Sequence, residues 1–237
     1  MEQLGYQLLV GDAGEIRRLA RRRQKNDRRD ADLLLELLVR REFPILYRSS
    51  KASREVLRQL RYRHKLVKLR TMVANTLQAL ALNAGISLRA KLLTKGGRQQ
   101  LSGLQLSAIS QQQRDHLLSL ADELTHRIQK VEQWLEAQAK DDERVQRLQT
   151  HPGVGLLTSL CVVHTLGEVS RFSCTRKVAA YVGFDPMEEC RRNAKLSGAS
   201  AKAGSRLLRY HVAPTSRHYL RSHLWRLVSG VNAATDF

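Results

Sequence analysis

Apolar residues recur every three or four positions along two long stretches of this sequence, which is the spacing of a buried helical face. The first stretch, residues 51–84, predicts one helix that carries Arg and Lys on its outer face and stops at Gly85. The second predicts another long helix with a coiled-coil-like seam. The two helices either form an antiparallel hairpin within the chain or pair with a second subunit. The defining positions are Val56, Leu60, Val67, Val73, Leu77 and Leu80, then Leu117, Leu120, Leu124, Ile128, Val131 and Leu135.

The segment before the first long helix predicts shorter elements. Tyr6–Val10 is apolar and β-capable, which indicates a short buried strand. Helical spacing follows over residues 15–23 and 27–41, with Asn26 or Asp27 near the cap of the second helix. Residues 85–110 hold many Ser and Gln residues and predict a looser connection between the two long helices.

Charge changes this picture from a generic helical protein to one with a polyanionic partner. Lys and Arg number 41 against 22 Asp and Glu, a net charge of +19. Nucleic acid is the first candidate partner and an anionic membrane surface the second. A membrane anchor is not expected, because no apolar run of about 18 residues occurs. Aromatic residues make up only 5% of the chain, which disfavours a base-stacking platform.

Asp27 and Asp30 interrupt one of the most basic segments of the chain, KNDRRDADLL. Their spacing of three places both carboxylates on one face of a helix, about 5–6 Å apart at Cβ. Two such carboxylates can share Mg²⁺ beside a phosphate backbone. The alternative is an ordinary charged helix start. Asp32 points elsewhere and is interpreted as a salt-bridge partner.

The stretch LQTHPGVGLLTSL, residues 148–160, has the form of a helix-hairpin-helix turn. Gly153 and Gly155 would permit a tight turn with exposed amides, and the following helix would offer its N-terminal N–H groups to a phosphate. Such binding is independent of base sequence. The alternative is an ordinary turn between two core helices.

A glycine-containing segment, residues 181–209, predicts a basic loop that leads into a basic helix. Lys202, Arg206 and Arg209 recur at helical intervals, so they form either a phosphate contact or a solvated basic face. Ser197-Gly198 either exposes a nucleophile or forms a simple turn. The histidines show no metal-ligand spacing, and Cys161, Cys174 and Cys190 form neither a metal knuckle nor a disulfide framework.

Four motifs stand together in a recognisable order from about residue 6 to residue 210. The chain resembles the DEDD transposases of insertion-sequence families 110 and 1111, which are related to the Piv-type DNA invertases. KNDRRDA is similar to the Lys-x-Asp-x-x-Asp-Ala motif of that family, and the long basic helical middle matches in length. The remaining motifs are HPGVGLLTS, RFSCTRKVAAYVGFDP and KAGSRLLR.

The resemblance implies a mainly α protein that transposes DNA. It implies a RuvC-like, RNase H-type domain that binds Mg²⁺ through Asp-Glu-Asp-Asp, with Asp27 and Asp30 as the last two acids. It also implies a helical insertion for assembly, a C-terminal domain with a nucleophilic serine, DNA and guide RNA as partners, and a cytoplasmic, nucleoid-associated protein. The predicted regions are an RNase H-type remnant over 1–45, a helical or coiled-coil region over 46–147 and a C-terminal transposase domain over 148–237.

Two departures from the family pattern predict a truncated and catalytically impaired copy. No residues match the first Asp and the Glu of the metal site, and Arg191 stands where the serine is expected. Ser197 would replace that serine only if the loop re-formed. The alternative function is a non-catalytic nucleic-acid-binding or multimerisation protein that acts through the coiled coil. A basic helical protein with no retained function is the third interpretation.

Overall fold

The computed structural model describes residues 8–20, 26–86, 92–174, 177–178, 181, 186–191, 194–200 and 206–212. The chain divides into two compact units, Met1–Ser50 and Lys51–Phe237. The described part of the chain is mainly helical, which confirms the predicted fold class at this level. The helices are α1 (Ala13–Leu19), α2 (Asp27–Val39), α3 (Lys51–Asn83), α4 (Lys95–Ser102), α5 (Ala108–Lys140), α6 (Glu143–Gln149), α7 (Leu156–Leu166) and α8 (Arg206–Val212).

The first unit contains two capped helices. The Asp12 side chain accepts hydrogen bonds from the amides of Gly14 and Glu15 at the start of α1. Asn26 caps α2 in the same way, which confirms the predicted cap. Helix α1 ends at Leu19, and the extended C-cap residue Ala20 donates its amide to the Ile16 carbonyl.

The strand predicted at Tyr6–Val10 is wrong over its described part, Leu8–Val10, which has no regular structure. An isolated antiparallel bridge instead joins Gly11 to Ile45, with the Asp12 amide 3.0 Å from the Pro44 carbonyl. A Cβ at Gly11 would lie 2.6 Å from the Phe43 ring, so the bridge requires glycine there. Among the described residues of this unit, Leu37 is the buried apolar side chain of the core. The RNase H-type remnant therefore stays a prediction.

An antiparallel pair of long helices, α3 and α5, dominates the second unit. The predicted helix over 51–84 is confirmed as Lys51–Asn83. The direction follows from two cross-helix contacts, because Arg63 bonds Glu132 and Arg70 bonds Thr125. The apolar seam packs within the chain, and association with a second subunit stays a prediction. The expected loose connection is wrong for residues 95–102, which form α4 with Leu101 fully buried.

Two apolar clusters fill the second unit. One joins the C-terminal half of α3 to α4 and α5, around Leu77 and Leu101. The other joins the N-terminal half of α3 to α5, α6, α7 and α8, around Leu60, Leu135 and Leu160. Because the middle of the chain and its C-terminal part share this second cluster, the predicted boundary between residues 147 and 148 does not separate two cores.

The basic loop expected in the first part of the segment 181–209 is wrong for residues 186–191 and 194–200, which form strands. Strand β1 (Pro186–Arg191) pairs antiparallel with β2 (Ala194–Ser200), with an irregular register between Pro186 and Glu188. Within the described ranges, none of the helices combines the length and the apolar character needed to cross a membrane.

Candidate nucleic-acid interface

A tight turn connects α6 to α7 at His151–Gly155, hereafter the PGVG turn. Gly153 has φ +80°, a conformation that favours glycine, so the predicted tight turn depends on this residue. The Val154 side chain is buried at 6% exposure, and its amide donates a 3.1 Å hydrogen bond to the His151 carbonyl. Pro152, Gly153 and Gly155 are exposed. The turn is thus anchored in the core by Val154 and presents glycine backbone on both sides of it.

Gly155 is the N-cap of α7 and provides no side-chain cap for it. Its carbonyl accepts hydrogen bonds from the amide and the hydroxyl of Ser159, at 3.0 and 3.1 Å. No atom lies within 4 Å of a Cβ built on Gly155. The first N–H groups of a helix have no partner within the helix, and they carry the positive end of its dipole. This end of α7 therefore has the geometry of an anion-binding helix terminus.

Contacts on both sides hold the PGVG turn in place. Asp142 caps α6 by accepting a hydrogen bond from the Arg144 amide, and its carboxylate also bonds the Arg144 guanidinium, which lowers the pKa of Asp142. On the other side, α7 is buried along its length. Its His164 Nδ1 lies 3.2 Å from the Ser53 hydroxyl of α3, and burial lowers the pKa of His164. The turn therefore connects two rigidly packed helices.

Helix α8 packs against α7 beside this turn. Leu207 and Leu208 are buried, and the Thr158 hydroxyl donates a 3.3 Å hydrogen bond to the His211 carbonyl. Burial lowers the pKa of His211 to about 4, so its ring is neutral near pH 7. Arg206 and Arg209 lie in α8 three positions apart, which places them on one helical face. Lys202 lies outside the described residues.

Asp27 and Asp30 both lie in the first turn of α2 and are exposed. Their helical spacing confirms the predicted common face. No group of three or more His, Cys, Asp or Glu side chains with metal-binding geometry occurs in the part of the chain that the structure describes. The two carboxylates suit one Mg²⁺ ion whose other ligands are water or phosphate, but they do not suit a two-ion site. Both carboxylates also stabilise the N-terminus of α2, because they lie near the positive end of the helix dipole.

The candidate nucleophile lies in the hairpin of the second unit, whereas Asp27 and Asp30 belong to the first. Ser197 in β2 pairs with Glu188, and Arg191 ends β1 opposite Ala194. The thiol of Cys161 is a poor nucleophile, because burial raises its pKa to about 12. The structure thus assigns these residues to elements, and their chemical roles stay predictions.

Helix α3 presents a basic surface that the sequence patterns indicated only as an outer face. Its exposed cations recur at intervals of three and four residues, a regular spacing that is visible in the sequence once the helix is assigned. They are Lys51, Arg54, Arg58, Arg61, Lys65 and Lys68.

Comparison with known proteins gives this geometry a family. Residues 145–229, which include most of α6, the PGVG turn, α7, the hairpin and α8, match the sequence model of the transposase IS116/IS110/IS902 family. This part of the chain is therefore similar to that transposase family, and the resemblance predicted from the motifs is confirmed.

Individual relatives extend the similarity over most of the chain. The transposase for insertion sequence element IS1111A of Coxiella burnetii is 29% identical over 83% of this chain and 55% of the relative. A probable family 20 transposase of Pseudomonas aeruginosa is 25% identical over 83% of this chain and 60% of the relative. The transposase for insertion sequence element IS1328 of Yersinia enterocolitica is 23% identical over 93% and 66%. The chain matches between about half and two thirds of the length of these relatives.

Proposed function

We propose that this chain binds DNA as a transposase-type protein of an insertion sequence. The observation that carries the proposal is the family match over residues 145–229, which covers the PGVG turn and the exposed N-terminus of α7. Two of the relatives are transposases for insertion sequence elements, and DNA is the substrate of transposition. The net charge of +19 supports a polyanionic partner independently of the family.

DNA contact in this proposal is made by backbone amides and by α8. The first amides of α7 bind one phosphate, with Gly155 leaving room for its close approach. Arg206 and Arg209 on α8, together with Lys202, contact neighbouring phosphates. All of these groups recognise the backbone and not the bases, so they position DNA without specifying its sequence. A helix-hairpin-helix mode of binding is part of this proposal.

The catalytic part of the proposal concerns Asp27, Asp30 and Ser197. The two carboxylates hold one Mg²⁺ ion against a phosphate, and the bound ion would neutralise charge at the phosphate where a strand breaks. Ser197 is the candidate nucleophile, because Arg191 stands at the position expected for the serine. With two acids and a displaced serine, we expect this chain to bind DNA and to cleave it poorly. A guide RNA and association through the helical hairpin complete the proposed transposase.

One variant tests the amide site without weakening the fold. Gly155→Asp should let the new carboxylate cap α7, which keeps or raises stability, while it occupies the amides proposed to bind phosphate. We expect weaker binding of duplex DNA in fluorescence anisotropy and an unchanged melting temperature. Gly96→Asp is the matched control, since a Cβ at Gly96 also meets no atom within 4 Å. Equal affinities for the two variants would remove the amide site from the proposal.

A strand-cleavage and joining assay tests the catalytic part. Supercoiled DNA that carries the ends of the element, with its flanking RNA, is incubated with and without Mg²⁺. We expect binding with little cleavage, and a preference for the element's ends that depends on the RNA, because the proposed protein contacts recognise phosphates and not bases. Cleavage that is lost on Asp27→Asn and Asp30→Asn, but kept on Asp32→Asn, would contradict the expected impairment and show that further residues complete the metal site. Binding with no preference for the element's DNA would contradict the proposed function.

Two observations favour a second function. The candidate metal site contains two carboxylates, and Arg191 stands where the family has its serine. In this alternative the chain is a non-catalytic nucleic-acid-binding or multimerisation protein that associates through the α3–α5 hairpin. Sedimentation analysis separates the two proposals when it is combined with the cleavage assay. Stable association with an intact relative, together with no cleavage under any condition, would favour the alternative.

A further inference from the structure

The exposed cations of α3 form a continuous line, hereafter the α3 stripe: Lys51, Arg54, Arg58, Arg61, Lys65 and Lys68. Each member follows the previous one by three or four residues, so neighbouring Cβ atoms are about 5–6 Å apart. The stripe covers a helix length of about 25 Å at 1.5 Å per residue. It therefore presents a straight row of positive charge along the N-terminal half of α3.

Few described carboxylates neutralise this row. Arg58 forms an ion pair with Glu55 at 3.0 Å, with 72% of the Arg58 side chain exposed. The other stripe members form no ion pair with any residue that the structure describes. The two remaining cations of α3 behave differently, because Arg63 and Arg70 turn inward and bond Glu132 and Thr125 of α5. Helix α3 thus has two sets of cations: Arg63 and Arg70 contact α5, and the stripe members face solvent.

We propose that the α3 stripe binds the phosphate backbone of a double-helical nucleic acid. The stripe length of about 25 Å matches the rise of roughly seven base pairs, with one phosphate per 3.4 Å on each strand. Tyr62, 43% exposed, is the one large exposed hydrophobic side chain between the first and last stripe members, and a single ring does not form a stacking platform for single-stranded bases. The aliphatic side chains Val56, Leu57, Leu60 and Leu66 are buried. This half of α3 therefore has no wide apolar face to insert into a bilayer.

The stripe is separate from the candidate site at the PGVG turn, and it deepens the proposed function by adding a surface outside the family match at residues 145–229. Arg61 lies close enough to α7 for its charge to lower the pKa of the buried Cys161 thiol against the larger effect of burial. The N-terminal half of α3 and α7 also share one apolar cluster, so the stripe and α7 belong to the same packed unit.

The salt dependence of binding tests the stripe. Two quadruple variants remove the same number of charges from exposed positions, and Gln keeps the helix propensity. The stripe variant is Arg54→Gln, Arg61→Gln, Lys65→Gln and Lys68→Gln, and the control variant is Lys95→Gln, Arg127→Gln, Lys130→Gln and Lys140→Gln. Anisotropy is measured across salt concentrations with a duplex of mixed sequence of about 20 base pairs, made in parallel from DNA and from RNA.

The slope of log affinity against log salt concentration is negative. For the stripe variant we expect this slope to become shallower by about 3 to 4 units, since each lost phosphate contact removes about one unit. The control variant should lose less than about one unit. A loss confined to DNA or to RNA identifies which duplex the stripe binds. Equal losses for the two variants would show a general effect of net charge and would overturn the proposal. So would a stripe variant that loses binding to anionic vesicles but keeps its affinity for both duplexes.

The Gly155→Asp variant is measured in the same experiment. If that variant binds normally while the stripe variant does not, the amide site fails and the stripe stands. If neither variant weakens binding, both proposals fail. The two inferences are therefore distinguishable.

Discussion

Helices α3 and α5 have the same length, 33 residues, and lie side by side, yet their charges differ: α3 is strongly basic and α5 carries both signs in nearly equal number. Helix α3 contains eight Lys or Arg residues and one Glu, all within its first twenty positions. Helix α5 contains four Lys or Arg residues and five Asp or Glu residues, spread along its length. Both bury an apolar seam, so the difference lies only in the surfaces that face away from the core.

The surface of α5 has the composition of a solvated helix. Its opposite charges pair locally, as in Arg127 with Glu123, or with a neighbouring helix, as in Asp122 with Arg98. The Arg98 guanidinium lowers the pKa of Asp122, which keeps this exposed carboxylate ionised. Such pairs contribute little to stability individually, but they avoid repulsion and favour solubility.

The positions of the charged residues on α3 lower the stability of the isolated helix. Lys51 and Arg54 occupy its first turn, where the helix dipole disfavours positive charge. Each pair of like charges at a spacing of three or four residues costs about 0.2–0.5 kcal/mol. A bound polyanion would remove both penalties. The comparison therefore teaches that α3 combines a structural face, shared with α5, and a charged face suited to a partner.

The largest predicted effect tests whether the two helices contribute equally to the core. Leu60 of α3 and Leu135 of α5 are both fully buried in the same cluster. We expect Leu60→Ala and Leu135→Ala each to lower the free energy of unfolding by about 2–5 kcal/mol in urea denaturation. Ile109→Ala at an 80% exposed position of α5 is the control, with an effect within about 0.5 kcal/mol. A large cost in only one helix would contradict an equal structural role.

The next prediction concerns the ion pair that joins the two helices. Arg63 Nε and Nη2 lie 2.9 and 2.6 Å from Glu132 Oε1, and the two side chains are 17% and 32% exposed. Glu132→Gln should lower the free energy of unfolding by about 1–2 kcal/mol, because a partly buried guanidinium loses its charged partner. The exposed Glu136→Gln should change it by less than about 0.5 kcal/mol. Similar changes in the free energy of unfolding for Glu132→Gln and Glu136→Gln would show that Arg63 does not depend on its partner and behaves as a solvated cation.

The smallest predicted effect has the opposite sign. The stripe variant should raise the free energy of unfolding by about 1 kcal/mol at low salt, because it removes like-charge neighbours along α3. The gain should disappear as salt screens the repulsion. The control variant should give no gain, since it removes the pair between Arg127 and Glu123. Destabilisation by the stripe variant would show that these side chains support the fold and would weaken the comparison between the helices.

Sequence reasoning was most successful where a long periodic pattern met a clear terminus. The seam from Val56 to Leu80 predicted α3 closely, and of the two residues predicted near the cap of α2, Asn26 is the cap and Asp27 the first helical residue. The turn at Gly153 was also predicted, because a positive φ is a property that glycine supplies locally. These features depend on neighbouring residues, so a sequence window contains most of the information that determines them.

The errors arose where few residues define an element. Helix α4 contains Gly96 and Gly97 in its first turn, and it forms because Thr94 caps it and Leu101 is buried. The hairpin of β1 and β2 is held by backbone pairing, which side-chain periodicity reports poorly in a polar segment. For the candidate site, sequence gave the common face of Asp27 and Asp30. It could not give their neighbours in space, which depend on tertiary packing.

Lysine footprinting on the full chain tests the central claim most directly, namely that one face of α3 binds nucleic acid. Acetylation rates are measured by mass spectrometry with and without a mixed-sequence duplex at moderate salt. Lys51, Lys65 and Lys68 of the stripe are compared with the exposed Lys95, Lys130 and Lys140 of the same unit. We predict several-fold slower acetylation of the stripe lysines in the presence of the duplex and unchanged rates for the other three. Equal protection of both groups, or protection of Lys130 and Lys140 alone, would contradict it.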